Sequence, residues 1–391
     1  VWHFLPDCLG DDLRHYRAGL PSESAERARR GRESDAYAYA DAAGPEILQG
    51  VFRDAGASMG AATSEAMSAN SKIEWTTHTF NPWIGCTKVS PGCAHCYAET
   101  LNKRWKGGEN WGKGAPRKRT TEAYWRQPLK WDREAGKLPP FEAGIEREWH
   151  RPRVFPSLCD WLDDEVPIEW LADFLNLIRI TQYLDWQLLT KRPELFSRRI
   201  QAVIDHNRKT LSRHDSEMIV FCDDWLTEGG APPNVWLGVS VEDQQRAEDR
   251  IPMLLGTPAA IHFLSCEPLL GPLDLRKVNA TPSITISALK SDTFVRENVD
   301  WVIVGGESGR GARPCNVRWI RDLVSQCKTT GCPVFVKQLG YLAYECVGPS
   351  VNPERPLLLK DRKGGDTAEW PEDLRIRQMP HISGEKATCG P

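Results

Sequence analysis

Cys86, Cys93 and Cys96 stand in the run Cys86-Thr-Lys-Val-Ser-Pro-Gly-Cys93-Ala-His-Cys96-Tyr97, a C-x6-C-x2-C spacing. Three thiols this close, with Gly85, Pro91 and Gly92 to turn the chain, can converge on one metal centre. Structural zinc takes four ligands, so His95 or a distant cysteine would have to complete the set. A 4Fe-4S cluster held by three cysteines keeps one iron open, with room for the amino and carboxylate groups of S-adenosylmethionine. The bland alternative is three unrelated buried thiols. The open position favours the cluster.

A second group of reactive side chains recurs at intervals further along. Lys191 and Arg192 follow an apolar run and suit a carboxylate or phosphate. Ser240 and Glu242 could hold ribose hydroxyls. Gly305-Gly306-Glu307 offers close backbone approach and a carboxylate for an ammonium or hydroxyl; a tight turn with a solvated Glu reads equally simply. Asp160, Glu267 and Lys337, with Gln338, complete a polar ring for cofactor or substrate, and the first three are substrate candidates, each also readable as a rim salt bridge.

The stretch Lys103 to Lys137 is basic, with Trp105, Trp111, Tyr124, Trp125 and Trp131 interleaved among cations that include Arg117, Lys118 and Arg119. Flat aromatic faces beside basic groups are what stacking on bases next to phosphates requires, so Trp105, Trp111, Arg117, Lys118, Arg119 and Trp125 are substrate candidates. The competing reading is a solvated charged face with its tryptophans packed inward.

These residues need a scaffold, and the chain supplies an alternation. Short β-branched or apolar runs, Arg153 to Ser157, Asp185 to Thr190, Val235 to Ser240, Ala260 to Ser265, Trp301 to Gly305 and Pro333 to Lys337, read as strands. Between them lie apolar stripes at helical spacing, such as Ile168, Leu171, Phe174, Leu175 and Ile178, or Trp319, Ile320, Leu323, Val324 and Cys327. Strand and helix in alternation mean parallel strands with crossover helices. A doubly wound sheet would alternate in the same way. Polar clusters at nearly every strand end favour a full or partial parallel (β/α) barrel, where such ends converge on one face.

Composition sets the limits. The chain has 391 residues, a formal charge of −3 and 12 cysteines. There is no global attraction to polyanions, so a nucleic-acid surface must come from local clustering. No apolar run is long enough to span a membrane and no secretory pattern opens the chain, so a cytoplasmic location without a membrane partner is expected. Scattered cysteines then point to metal or redox use of a subset. Residues 1–66 are low in periodicity and read as a disordered leader or non-native extension, with a native start expected at Met67. Residues 67–150 carry the cysteine loop and the basic stretch, 151–343 the barrel units, with insertions at His206 to Pro233 and Leu275 to Asn298, and 344–391 a tail expected to pack outside the barrel.

The cysteine loop ahead of an α/β series, with the aromatic Tyr97 after its last cysteine, resembles the radical S-adenosylmethionine superfamily. More closely, the chain is similar to an uncharacterised phage-associated family with a three-cysteine motif. It shares the blocks Phe80-Asn-Pro-Trp-Ile-Gly-Cys86, Leu189-Thr-Lys-Arg-Pro193, Gly238-Val-Ser-Val-Glu242, Ser265-Cys-Glu-Pro-Leu269 and Gly305-Gly-Glu-Ser-Gly309. The resemblance runs from about Ile73 to Pro380. It implies a barrel of the radical type, a 4Fe-4S cluster on Cys86, Cys93 and Cys96, and S-adenosylmethionine held near Tyr97, Lys191, Ser240, Glu242, Gly305, Gly306 and Glu307. It also implies an electron donor protein of the flavodoxin or ferredoxin type. Two departures stand out: the superfamily's usual loop is C-x3-C-x2-C, and Gly305-Gly306-Glu307 falls on a late strand rather than an early one.

The expected function is an enzyme that generates a 5′-deoxyadenosyl radical and abstracts hydrogen from a nucleic acid or nucleotide, in modification or repair. The alternative is a non-catalytic, metal-stabilised nucleic-acid-binding protein of phage or defence systems. A hydrolase is disfavoured by the absence of H-E-x-x-H, P-loop and G-x-S-x-G patterns.

Overall fold

Strands buried on both faces read as near-continuous apolar runs, and such runs build the centre of this molecule. The computed structural model of the chain describes residues 71–137, 151–210, 213–227, 230–290, 297–309, 311–346 and 354–380. The expected leader and the Met67 start lie outside them. The central strands are β1 (His78–Thr79), β2 (Arg153–Phe155), β3 (Asp185–Thr190), β4 (Val235–Ser240), β5 (Ile261–Cys266), β6 (Trp301–Gly305) and β7 (Val334–Gln338). All but β1 are strands that the sequence marks.

Their order across the sheet is their order along the chain, and every neighbouring pair is parallel. A doubly wound sheet reverses direction at a switch point. This sheet keeps one direction and curls into a half-barrel, with β1 and β7 not paired to each other among the described residues.

The connections are α1 (Tyr97–Lys106), α2 (Glu122–Trp125) and α3 (Gln127–Ala135) between β1 and β2, then α4 (Ile168–Ile180), α5 (Phe196–Thr210), α6 (Arg213–Thr227), α7 (Gln244–Leu255) and α8 (Val317–Thr330). The two apolar stripes expected of helices are the buried faces of α4 and α8. The described part of His206 to Pro233 adds a helix to the connection between β3 and β4. It holds the end of α5 and all of α6, whose Met218, Cys222 and Trp225 are buried at i, i+4 and i+7, with Trp225 stacked 6.2 Å from Trp161. The many acidic residues of α6 hide that stripe from composition. The second interruption is an insertion: between β5 and β6 the described chain forms the antiparallel hairpin Val278–Thr281 with Ile284–Ile286.

Large rings fill the concave side. Phe155 of β2, Trp236 of β4, Phe263 of β5, Trp301 of β6 and Phe335 of β7 surround Trp75, which precedes β1. The Trp75 ring lies 4.6 Å from Phe155 and 6.1 Å from Trp301, so one side chain ties both halves of the curved sheet. Gly238 is required here: a Cβ at that position would sit 2.4 Å from the Phe263 ring.

The tail covers the outer edge of β7. Ile376 O accepts from Val336 N at 2.8 Å, Gln378 N donates to Val334 O at 3.0 Å, and Trp301 Nε1 donates to Gln378 O at 2.9 Å. No helix of the described residues is long and apolar enough to cross a membrane.

Candidate functional site

The cysteine loop leaves β1 and crosses the C-terminal ends of the other strands. Its entry is fixed by Asn81, whose Oδ1 accepts from Leu158 N at 2.6 Å. Gly85 follows at φ +122°, where a Cβ would lie 2.4 Å from Asn110 O, so a side chain there is excluded by both space and backbone. Gly85 also bridges in parallel to Cys159 beyond β2, and Cys86 to Trp111.

Charged groups from three strand ends then grip the loop. After β3, Arg192 donates to Thr87 O at 2.6 Å and reaches the Cys86 Sγ with both terminal nitrogens, at 3.6 and 3.7 Å. After β4, Glu242 accepts from Gly92 N at 3.1 Å and pairs with Arg250 of α7 at 2.8 Å. After β6, Glu307 meets His95 Nδ1 at 3.0 Å and Arg313 at 2.7 Å, while Arg313 also donates to Pro91 O at 2.9 Å. A fourth grip comes from below: Arg117 donates to Thr87 Oγ1 at 2.7 Å, and Thr87 Oγ1 donates to Glu165 at 3.0 Å.

Burial pushes the Cys86 thiol up to about 12, with Asp160 adding to the rise and Arg192 opposing it. Cys96 opens α1 and is raised by burial too, opposed by the N–H groups of Glu99 and Ala98 and by Lys191. Burial alone would raise Glu242, but Arg250, Ser90, Lys191 and the Gly92 amide together hold it below the ordinary carboxylate range. Glu307 is held down likewise, against its burial, by Arg313 and His95.

The donor set fits thiolate ligation in its chemistry. Two of the three sulfurs lie among guanidinium, ammonium and amide N–H donors, which compensate the negative charge of thiolates or of an anionic cluster. Among the described residues no three His, Cys, Asp or Glu groups stand close enough together to hold a single metal ion.

Of the residues expected to hold a cofactor, Glu242 and Glu307 are spent on the loop. Asp160 is saturated as well, accepting from Thr190 Oγ1, Leu162 N, Lys191 N and Arg192 Nη1. Gly306 serves backbone packing, since a Cβ there would lie 2.3 Å from Leu339 O. Lys191 and Ser240 are a pair, Nζ to Oγ 2.9 Å. Lys337 meets both carboxylate oxygens of Glu267 at 2.8 Å. Gly305 lies between them in the sheet, where a Cβ would come 3.5 Å from the Glu267 Cδ. Tyr97 donates its hydroxyl to Ser157 O and keeps half its surface exposed.

Burial corrects two of the candidates in the basic aromatic stretch, Trp125 and Arg117. Trp125 is 1% exposed and lies under the Arg119 guanidinium, whose Cζ is 4.2 Å from the ring centroid, while Arg119 pairs with Asp173 at 2.8 Å. Tyr124 and Trp131 are also inside, Trp131 stacked on His78. Arg117 is buried against Asp163 at 2.7 Å. Trp125 and Arg117 therefore offer nothing to a base or a phosphate. Trp111 is half-buried, Lys118 is exposed, and the Trp105 side chain lies outside the described residues.

Arg250, Arg313, Thr87 and Cys159 were not singled out in the sequence. Arg250 falls eight residues after Glu242 across a helix start, and Arg313 six after Glu307 across a turn. Only Cys159, beside Asp160 at a strand end, carried a local signal.

No curated protein and no solved structure gives a significant match to this sequence. A family model, described as a protein of unknown function (DUF5131), matches residues 70–367, which takes in the cysteine loop and all seven central strands. The chain belongs to the DUF5131 family.

Proposed function

We propose that this chain binds a 4Fe-4S cluster through Cys86, Cys93 and Cys96 and works with S-adenosylmethionine in radical chemistry on a nucleic acid or nucleotide. The observation that carries the reading is the placement of the loop. It leaves the first strand of a consecutively ordered parallel half-barrel and is held over the C-terminal mouth, where barrel sites are built.

The chemistry such a cluster brings is one-electron cleavage of the sulfonium to a 5′-deoxyadenosyl radical, with the electron drawn from a flavodoxin- or ferredoxin-type donor. The chain's own residues bind and orient. Arg192 and Lys191 compensate thiolate charge, and Glu242 and Glu307 fix the loop between Cys86 and Cys96. Lys191, whose ammonium group is hydrogen-bonded to the neutral Ser240 hydroxyl, would supply attraction for an anionic substrate, while the charge of Lys337 is balanced by Glu267.

Anaerobic reconstitution with iron and sulfide tests this. The full chain should take up a cluster, lose it on Cys86→Ala, Cys93→Ala or Cys96→Ala, and release 5′-deoxyadenosine when given dithionite and S-adenosylmethionine. Colourless protein carrying one zinc would overturn the reading. A loaded protein that gives no 5′-deoxyadenosine in the presence of single- and double-stranded nucleic acids would favour a binding module.

A further inference from the structure

Arg192 is 3% exposed, and both terminal nitrogens of its guanidinium are engaged. Nη1 donates to Asp160 Oδ2 at 2.9 Å and to the Cys86 Sγ at 3.6 Å; Nη2 donates to Thr87 O at 2.6 Å and to the same sulfur at 3.7 Å. Both sulfur distances fall within hydrogen-bonding range for so large an acceptor. Asp160 holds the guanidinium from behind and is itself pinned by Thr190 Oγ1 at 2.7 Å and Lys191 N at 3.0 Å. Arg192 N donates to Thr190 Oγ1 at 2.9 Å, so the backbone and the side-chain head are anchored to the same β3 terminus.

An arginine this enclosed is not a general attractor of anions. Its planar fork is preorganised for one acceptor, and the fork here straddles Cys86. Neither Cys93 nor Cys96 receives a comparable fork: Cys93 shares a 3.8 Å contact with the Ser90 hydroxyl in which either atom can donate, and Cys96 has the helix-start amides and the charge of Lys191. The three sulfurs are therefore electrostatically unequal.

We propose that Arg192 is a positioning residue for Cys86 and that its two N–H donors set the reduction potential of the cluster through that sulfur. This rests on the cluster reading above. Hydrogen bonds to a ligating sulfur stabilise the more negative, reduced state and so raise the potential. Asp160 limits the effect by partly neutralising the guanidinium while keeping it aimed.

The test uses the full chain, reconstituted anaerobically, with Arg192→Met, Arg192→Lys and Thr87→Val beside the parent. Fold is followed by circular dichroism, loading by iron per chain, and midpoint potential by a redox titration read by electron paramagnetic resonance. Thr87→Val is the control for loop loosening, because it removes the contacts of Arg117 and Glu165 while leaving the Arg192 donors in place. The expected result is a lower potential in Arg192→Met, a smaller shift of the same sign in Arg192→Lys, and none in Thr87→Val. Folded Arg192→Met that loses iron supports the positioning role, and the Lys variant then carries the potential measurement. Unchanged loading and potential in both Arg192 variants, or an equal shift in Thr87→Val, overturns the inference. If the parent takes up no cluster, it is the proposed function that fails.

Discussion

Glu242 and Gly92 lie 150 residues apart and meet at 3.1 Å, carboxylate oxygen to amide N–H, beneath the turn that presents Cys93. A Cβ on Gly92 would come 2.9 Å from the Glu242 Cδ, so the contact needs both the acid and the bare backbone. A carboxylate that sequence alone assigns to a ligand is thus a strut for the loop.

Replacing Glu242 by Ala removes that strut and leaves Arg250 buried without its partner. The expected loss is about 3 kcal/mol of stability by urea denaturation. Because its folded pKa is depressed, Glu242 contributes stability above its unfolded value and loses it as pH falls through the folded one. The acid limb of the stability curve should therefore be shallower in Glu242→Gln than in the parent.

Arg117 and Lys118 are neighbours with opposite roles. Arg117→Ala strands Asp163 in the interior and should cost about 3 to 5 kcal/mol. Lys118→Ala, on the exposed edge of the short ladder with Ile84, should stay within about 0.5 kcal/mol. Chemical denaturation of the two variants compares them directly. Equal losses would mean that the burial contrast is wrong.

Much of the scaffold was legible and much of the site was not. Asp185–Thr190, Val235–Ser240 and Trp301–Gly305 have the limits their apolar runs announce, since burial on both faces leaves an unbroken signal between polar ends. His78–Thr79 was missed because two residues carry no period and its pairing with β2 defines it. The cysteines were plain from spacing. The struts were not, for Gly92 with Glu242 or Cys86 with Arg192 are contacts across more than a hundred residues that leave no local trace. Trp125 misled for a related reason: composition gives charge and rings, and only packing tells which way a ring faces.

Trp75→Ala should open the centre of the half-barrel and cost about 3 to 5 kcal/mol. Trp75→Phe keeps most of the ring area and should lose clearly less. Thermal unfolding separates the two, and equal melting temperatures for the parent and the Ala variant would remove Trp75 from the core.

Asp185, 2% exposed at the start of β3, is pushed up to about 7 by burial, against the pull of Arg151 and Arg153. Its folded pKa lies above the unfolded value of about 3.9, so its protonation stabilises the fold below that value and the benefit fades as pH rises through 7. Asp185→Asn should raise stability at pH 8 by roughly 2 kcal/mol and flatten the curve between pH 4 and 7. Stability measured across that range in both proteins checks the sign.

The family match stops at residue 367, yet the segment that shields β7 is Ile376 to Gln378. A fragment trimmed to the matched region would bare Val334, Phe335 and Val336 along an open row of donors and acceptors, a template for strands from other molecules. The last stretch of the described chain thus covers a strand edge of the half-barrel from outside the part that defines its kinship.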